Sequence, residues 1–407
     1  MTQMRDSDVP ANADVERLVT TFDHLDDALN HEVLSQVYSR LHTGCPVPKT
    51  SAHDGYALIT RYDDVIEVEK DTKTYSSGRH GVLHPQHEGR PPSIPIEFDG
   101  AEHIAYRKIF MEVLSAPRVR KLLPYLEDLA NRMLDAFAAG DDPDFVQNVA
   151  VQIPVRAVGN LLGFGEDANE QLQAFATKVL ENAGTPEMVE ALAELDALAA
   201  AACQQRRDQP RDDYLSTLVQ MDFGGRPLTD DELNNIIRTF VFAGFETTAH
   251  AIGNLVHHLV THPELQAEMR SGDLQLEGIV EEGLRLLPPV HTMFRTTTVA
   301  TTLHGSTLAE GERVVLLYGA ANRDPNQFED PETFCPARSN PRQHVAFGIG
   351  PHYCAGATLA RAEIHILLEA LMERPALELA GTPRHNPHLM MGQMMGVDYL
   401  PLRFQEA

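Results

Sequence analysis

No run of apolar residues in this 407-residue chain is long enough to span a bilayer, so a transmembrane helix is not expected. Positive charge is scarce: 33 Lys and Arg stand against 59 Asp and Glu, a formal net charge of −26. That balance argues against general binding to nucleic acid or anionic lipid. Cysteine is scarce too. Cys45, Cys203, Cys335 and Cys354 lie far apart with no CxxC spacing, which removes the common cysteine-based zinc sites and disfavours a disulfide framework. Met1 to Val19 have neither the basic start nor the apolar stretch of a secretory signal, so cytoplasmic residence is the expectation. Internal repeats and low-complexity tracts are also missing. What remains, 43% apolar and 23% charged, is the composition of a soluble globular protein.

Length alone allows two or three domains, yet no linker-like stretch divides the chain. The reading is one domain over 1–407, mainly helical with small sheets, and a loosely ordered N-terminus over 1–20. Residues 55–60 are strand-like, and the Gly-, Pro- and His-rich stretch 78–100 reads as a long loop. From about 101 to 287 apolar residues recur three and four apart, as in Tyr125 to Leu134, which predicts helices. Residues 295–318 return to Thr- and Val-rich strand patterns broken by Gly305 and Gly311. A last helix is expected from about Gly356 to Arg374, before a tail rich in Pro and Met.

The best-marked helix begins at Thr229. Thr229-Asp230-Asp231-Glu232 is a capping box, with Leu228 and Leu233 at the staple positions. Its apolar pattern runs to Thr261, before His262-Pro263. Roughly 32 residues at ~1.5 Å each make a rod of about 48 Å. Its centre, Phe240 to Phe245, is apolar all round and predicts burial.

Chemistry concentrates in Phe347-Gly348-Ile349-Gly350-Pro351-His352-Tyr353-Cys354-Ala355-Gly356, directly before a helix. Gly348 and Gly350 permit tight turns, and Gly356 lets a flat ligand approach the backbone. At a helix N-terminus, free N–H groups and the dipole favour a thiolate at Cys354. Cysteine and glycine alone leave two readings, a buried thiol in a Gly-rich turn or a metal ligand. In the long helix, Ala243-Gly244-Phe245-Glu246-Thr247-Thr248 places a carboxylate and two hydroxyls in an apolar setting, where they need partners or a role. Thr247 can bond back to the Ala243 carbonyl, which beside Gly244 would open the helix locally. Glu282 and Arg285 share a helix face at i and i+3, as do His103 and Arg107 at i and i+4.

The cysteine segment resembles the ligand loop of the cytochrome P450 family, FxxGxHxCxG, at Phe347, Gly350, His352, Cys354 and Gly356. The resemblance runs from about residue 50 to the C-terminus and is closest in wording to the soluble bacterial members. It implies a P450-like fold with the long helix crossing the molecule over the haem, and haem b as cofactor with Cys354 as the iron ligand. Phe347, Gly348, His352, Gly356, Ala243 and Gly244 would then lie against it. Glu246-Thr247 looks like the family's acid–alcohol pair for oxygen activation, with Glu where Asp is common. Glu282 and Arg285 match its ExxR motif, whose ion-pair network takes in a later arginine, here Arg338. Asp99 to Arg107 is similar to its DPPxHxxxR segment without the prolines, which assigns His103 and Arg107 to a propionate, and Arg295 matches a strand arginine with the same role.

The resemblance therefore implies a haem-thiolate monooxygenase that uses O2 to hydroxylate or otherwise oxidise a small to medium hydrophobic substrate. The chain carries no flavin fingerprint, phosphate loop or iron–sulfur spacing. An external ferredoxin with its reductase is the implied electron source. Arg107, Lys108, Arg118, Arg120 and Lys121 form a basic cluster suited to an acidic partner, or a solvated helix end. A peroxide-driven enzyme and a haem-based sensor or electron carrier are the alternatives, and a monomer is expected. Implied substrate contacts are Phe98 in the 78–98 loop, Phe242, then Val290, His291, Met293 and Phe294 after Pro289, and Gln393 and Met394 in a tail whose methionines suit an irregular ligand. Arg79, His80, His84, His87 and Arg90 offer cations for a substrate carboxylate, or are solvated.

Overall fold

The capping box at Thr229 forms as its sequence predicts. Thr229 Oγ1 accepts the Glu232 N–H at 3.2 Å, and Glu232 Oε2 accepts the Thr229 N–H at 2.8 Å. From it a single helix runs over Asp230–Thr261. This is the spine of the computed structural model, which describes residues 12–84, 91–181 and 186–406. Around the spine pack Gln152–Leu162, Pro186–Asp208 and Ala357–Met372, and further helices cover Gly100–Val113 and Ala116–Ala139. Ile236, Ile237, Val241, Phe245 and Ile252 of the spine enter the largest apolar cluster. Its centre is not buried all round, however. Ala243 is exposed, because one side of the helix borders an internal cavity.

A five-stranded sheet packs beside the helices in the order Lys49–Thr50, Tyr56–Ile59, Arg313–Leu317, Thr292–Thr297, Tyr75–Ser76. Only Tyr56–Ile59 and Arg313–Leu317 pair in parallel. Alternation along a strand sends neighbours to opposite faces. Val315 and Leu317 join one apolar cluster, and Val314 and Leu316 join another. By the same rule Met293 and Arg295 border the cavity while Phe294 is buried in the cluster behind the sheet. The last long helix is Ala357–Met372, and the tail after it carries short strands.

Asn12–Thr20 form a helix, with Val15 and Leu18 buried against the sheet-side cluster together with Phe22. The stripe of 15, 18 and 22 is too short to stand out as periodicity. Residues 1–11 lie outside the described ones. Among the described residues no helix is long and apolar enough to cross a membrane.

The structure brings Glu282, Arg285 and Arg338 together. Arg285, 1% exposed, donates to both Glu282 oxygens at 2.8 Å and to the carbonyls of Asn322, Pro331 and Thr333. Arg338 reaches Glu282 Oε1 at 3.2 Å. Burial works against the Glu282 carboxylate, but the two guanidiniums and the Cys335 N–H hold its pKa below the usual range. Removing Arg285 strips the buried Glu282 of its nearest cation, and breaking a buried pair typically costs about 3–5 kcal/mol. Arg285→Ala should lower the unfolding free energy by that much in a denaturant titration.

Candidate active site

Two glycines make the cysteine loop possible. Gly348 (φ +65) and Gly350 (φ +71) occupy the left-handed region, and a Cβ on Gly350 would stand 3.0 Å from the Glu69 carbonyl oxygen. The loop closes when the Cys354 N–H donates to the Phe347 carbonyl at 2.8 Å. Gly356 then caps the helix Ala357–Met372. Cys354 counts as exposed although protein surrounds it, because its accessible surface faces the cavity.

The thiol differs from expectation. Burial raises its pKa, and this outweighs the Gly356 and Ala357 N–H groups and the Arg107 and Arg361 guanidiniums. A helix N-terminus alone therefore does not ionise Cys354, whereas a metal cation at Sγ would.

The cavity encloses about 1460 Å³, open solvent at its mouth included. His103, Arg107, Ala243, Gly244, Thr247, Arg295, Phe347, Gly348, His352, Cys354 and Gly356 all line it. His103 and His352 lie tilted against each other at 4.1 Å between ring centroids, and the Nε2 atoms of both are buried without a hydrogen-bond partner. His352 Nε2 stands 3.7 Å from Asp99 Oδ1, and Asp99 is already taken by Ser76 Oγ (2.5 Å) and the N–H groups of Ser77 and Gly78. Burial and the neighbouring His352 and Arg107 lower the His103 pKa to about 4, so its ring is neutral at pH 7. Arg107 donates to the Tyr353 carbonyl of the cysteine loop. Buried Arg295 pairs with Glu69 Oε1 at 2.7 Å. Orphaned imidazole nitrogens and two arginines sharing a cavity with a thiol suit a flat dianionic group with a metal centre. A Cβ on Gly356 would meet only Cys354 Sγ, at 3.8 Å, so the glycine leaves that surface clear.

On the long helix that also lines the cavity, the Thr247 hydroxyl donates to the Ala243 carbonyl at 2.8 Å. The helix nonetheless continues unbroken there, so no local opening forms. Gly244 has a packing reason as well, since a Cβ would come within 2.7 Å of Val158 Cγ2. Glu246 is not among the cavity-lining residues, yet burial pushes its pKa up to about 7.

Of the expected substrate contacts, only Val290 and Met293 line the cavity. Phe98 packs on Tyr106, and Phe242 packs on Phe175. His291 is buried against Tyr38 Oη at 3.0 Å, and Phe294 sits against His24 and Tyr56. Gln393 contacts the Val82 carbonyl at 3.4 Å, and Met394 is buried away from the cavity. Arg79 pairs with Glu310, and His84 bonds the His53 carbonyl. His87 and Arg90 lie outside the described residues.

Sequence reading missed several groups. Glu69 accepts Arg295, the Tyr318 hydroxyl at 2.6 Å and the Ile349 N–H at 2.9 Å, so it ties sheet, arginine and cysteine loop together. Arg361 bridges Glu281 (2.7 Å) and the Phe347 ring face (4.5 Å). Glu363 lines the cavity with both carboxyl oxygens unpartnered, and burial raises its pKa well above the carboxylate range. Val82, Ile96 and Phe240 add apolar wall. None of these lies in a contiguous motif.

The sequence profile described as Cytochrome P450 matches residues 169–272 and 274–398, more than half of the chain. The chain belongs to the cytochrome P450 family. It is similar to "Cytochrome P450 107B1" of Saccharopolyspora erythraea, 33% identical over 85% of this chain and 88% of that protein. It is also similar to "Steroid C26-monooxygenase" of Mycolicibacterium smegmatis, 31% identical over 80% and 82%. In three dimensions it matches the crystal structure of "CYP108D1" from Novosphingobium aromaticivorans, with TM-score 0.85, 28% identity, and 97% and 99% of the two chains covered. As a bacterial-type P450 the protein is a haem-dependent monooxygenase.

Proposed function

We propose that this P450 binds haem b through Cys354 and oxidises a small to medium hydrophobic molecule, with electrons from a ferredoxin and its reductase. The observation that carries the reading is that one cavity joins Cys354, two imidazoles whose Nε2 atoms make no hydrogen bond, and Thr247 to an apolar wall. Cys354 Sγ would hold the iron. His103, His352, Arg107 and Arg295 would take the propionates. When bound, thiolate-ligated haem supplies dioxygen activation.

The remaining steps fall to the chain. Val82, Ile96, Phe240, Val290 and Met293 exclude water and hold the substrate by apolar contact. The Thr247 hydroxyl oxygen keeps acceptor capacity at the cavity surface while its proton rests on the Ala243 carbonyl. Glu246, with a pKa of about 7, can both hold and release a proton near neutrality. Exposed Lys108, Arg118, Arg120 and Lys121 flank the helix whose Arg107 touches the cysteine loop. That patch on a chain of net charge −26 supports docking of an acidic partner.

The apolar wall and the steroid-oxidising relative make steroids the first compounds to screen. The haem-loaded oxidised protein should give a saturable spectral shift with members of a hydrophobic library that includes steroids, terpenes and macrolides. Bound compounds should then be turned over with ferredoxin, reductase and NAD(P)H. Turnover with peroxide alone would favour a peroxide-dependent enzyme. Binding without oxidation under either condition would favour a sensor or electron carrier.

A further inference from the structure

A second cluster of metal-ligating groups lies behind the sheet, where Phe294 turns its back on the cavity. Asp23, His24 and His53 bring one ligand atom each to within 4.8 Å of one another. His53 Nε2 is 2.9 Å from Asp23 Oδ1, and His24 Nδ1 is 3.8 Å from the same oxygen. Ligands at ~2.0–2.2 Å from one zinc ion stand about 3–4 Å apart, so small side-chain adjustments would close a site.

The protonation pattern suits a metal. His24 Nε2 is 2.5 Å from the His84 carbonyl oxygen, an acceptor only, so Nε2 carries the proton and Nδ1 the lone pair. A second partner of this kind commonly orients a metal-binding histidine. The Tyr56 hydroxyl lies 3.0 Å from Nδ1 and 3.1 Å from the Phe22 carbonyl oxygen, so turning its proton to Phe22 frees the Nδ1 lone pair for an ion. Burial lowers the His24 pKa to about 4, so the ring is neutral at pH 7 without a ligand. The Leu25 N–H donates to Asp23 Oδ1 at 2.9 Å and orients the carboxylate.

Backbone geometry adds an independent sign. His53 (φ +48) and Asp54 (φ +69) are consecutive non-glycine residues in the left-handed region, a costly arrangement that points the His53 ring at Asp23. Access is available as well. The His24 side chain is 1% exposed, while those of His53 and Asp23 are 28% and 31% exposed, so an ion can enter from solvent and keep a water.

From this geometry we infer that Asp23, His24 and His53 form a zinc site with three protein ligands and water in the fourth position. Two imidazoles and one carboxylate suit Zn²⁺ better than Ca²⁺ or Mg²⁺, which prefer all-oxygen sites. The ion would staple the segment after the first helix to the 52–54 turn. Through the His84 carbonyl it would also steady the 81–84 segment, whose Val82 forms part of the cavity wall.

The test uses tag-free, haem-loaded protein freed of loose metal with a chelator and titrated with Zn²⁺ calorimetrically. One saturable Zn²⁺ per chain is expected, with a rise in Tm. Asp23→Asn and His53→Ala, which leave the cavity wall untouched, should each weaken binding by at least about tenfold while the visible haem spectrum stays unchanged. No saturable Zn²⁺ binding by the wild type would overturn the proposal. So would binding that survives both substitutions unaltered, which would place the ion on other surface groups.

Discussion

Cys354→Ser should abolish product formation and eliminate the CO-complex absorption band that marks thiolate-ligated haem. Serine keeps the size and the N–H environment of the loop, but its hydroxyl is too weak an acid to stand in for a thiolate. The variant should therefore still fold, with Gly348, Gly350 and the Cys354 N–H turn undisturbed. It should retain haem poorly, because only the propionate contacts remain. The raised thiol pKa adds a second readout. In haem-free wild type at pH 7 the thiol should react slowly with alkylating reagents, since thiolate is the reactive form, and haem binding should block the reaction altogether. A variant with an unchanged CO spectrum would show that Cys354 is not the ligand.

The next largest effect is expected at the central helix. Thr247→Ala and Glu246→Gln should leave substrate-induced spectral shifts intact while lowering product formed per O2 consumed. Positioned proton transfer is worth roughly 10²–10⁴-fold, so the product rate should fall by at least the lower figure. The surplus electrons should appear as peroxide or water. If Glu246 acts as the acid, wild-type coupling is best below pH 7 and declines as pH rises through its pKa of about 7. In Glu246→Gln that decline should vanish. Stability follows the same group. Unfolded Glu ionises near 4.5 and the folded site near 7, so folding disfavours the charge and wild-type stability is lost between those values as pH rises. Glu246→Gln should therefore gain more in Tm over wild type at pH 8 than at pH 5. Equal product coupling in wild type and both variants would remove the pair from the mechanism.

What the sequence revealed was what it carries in contiguous stretches. The capping box, the cysteine loop, ExxR, and His103 with Arg107 each rest on residues within one turn or one helix face, where spacing has geometric meaning. Arg338 was found only through family likeness. Glu69 and Arg361 were invisible because their partners lie far off in sequence, Arg295 and Ile349 for one, Glu281 for the other. The substrate wall was half legible for a different reason. Pro289 marked the right segment, but strand register turns Phe294 behind the sheet from Met293, and the irregular residues before Thr292 bury His291 against Tyr38. The thiol's raised pKa depends on desolvation by the whole fold, which a helix-terminus argument leaves out.

That register has a practical consequence for retargeting the enzyme. Along 290–295 the side chains divide into two independent tasks: Val290 and Met293 border the cavity, and His291 and Phe294 brace Tyr38, Tyr56 and the N-terminal segment. A combinatorial library at 290 and 293, joined with Val82, whose carbonyl accepts the Phe294 N–H, would change the shape offered to a guest while the scaffold behind it stays constant. The same diversity spread over 291 and 294 would be spent on misfolded clones.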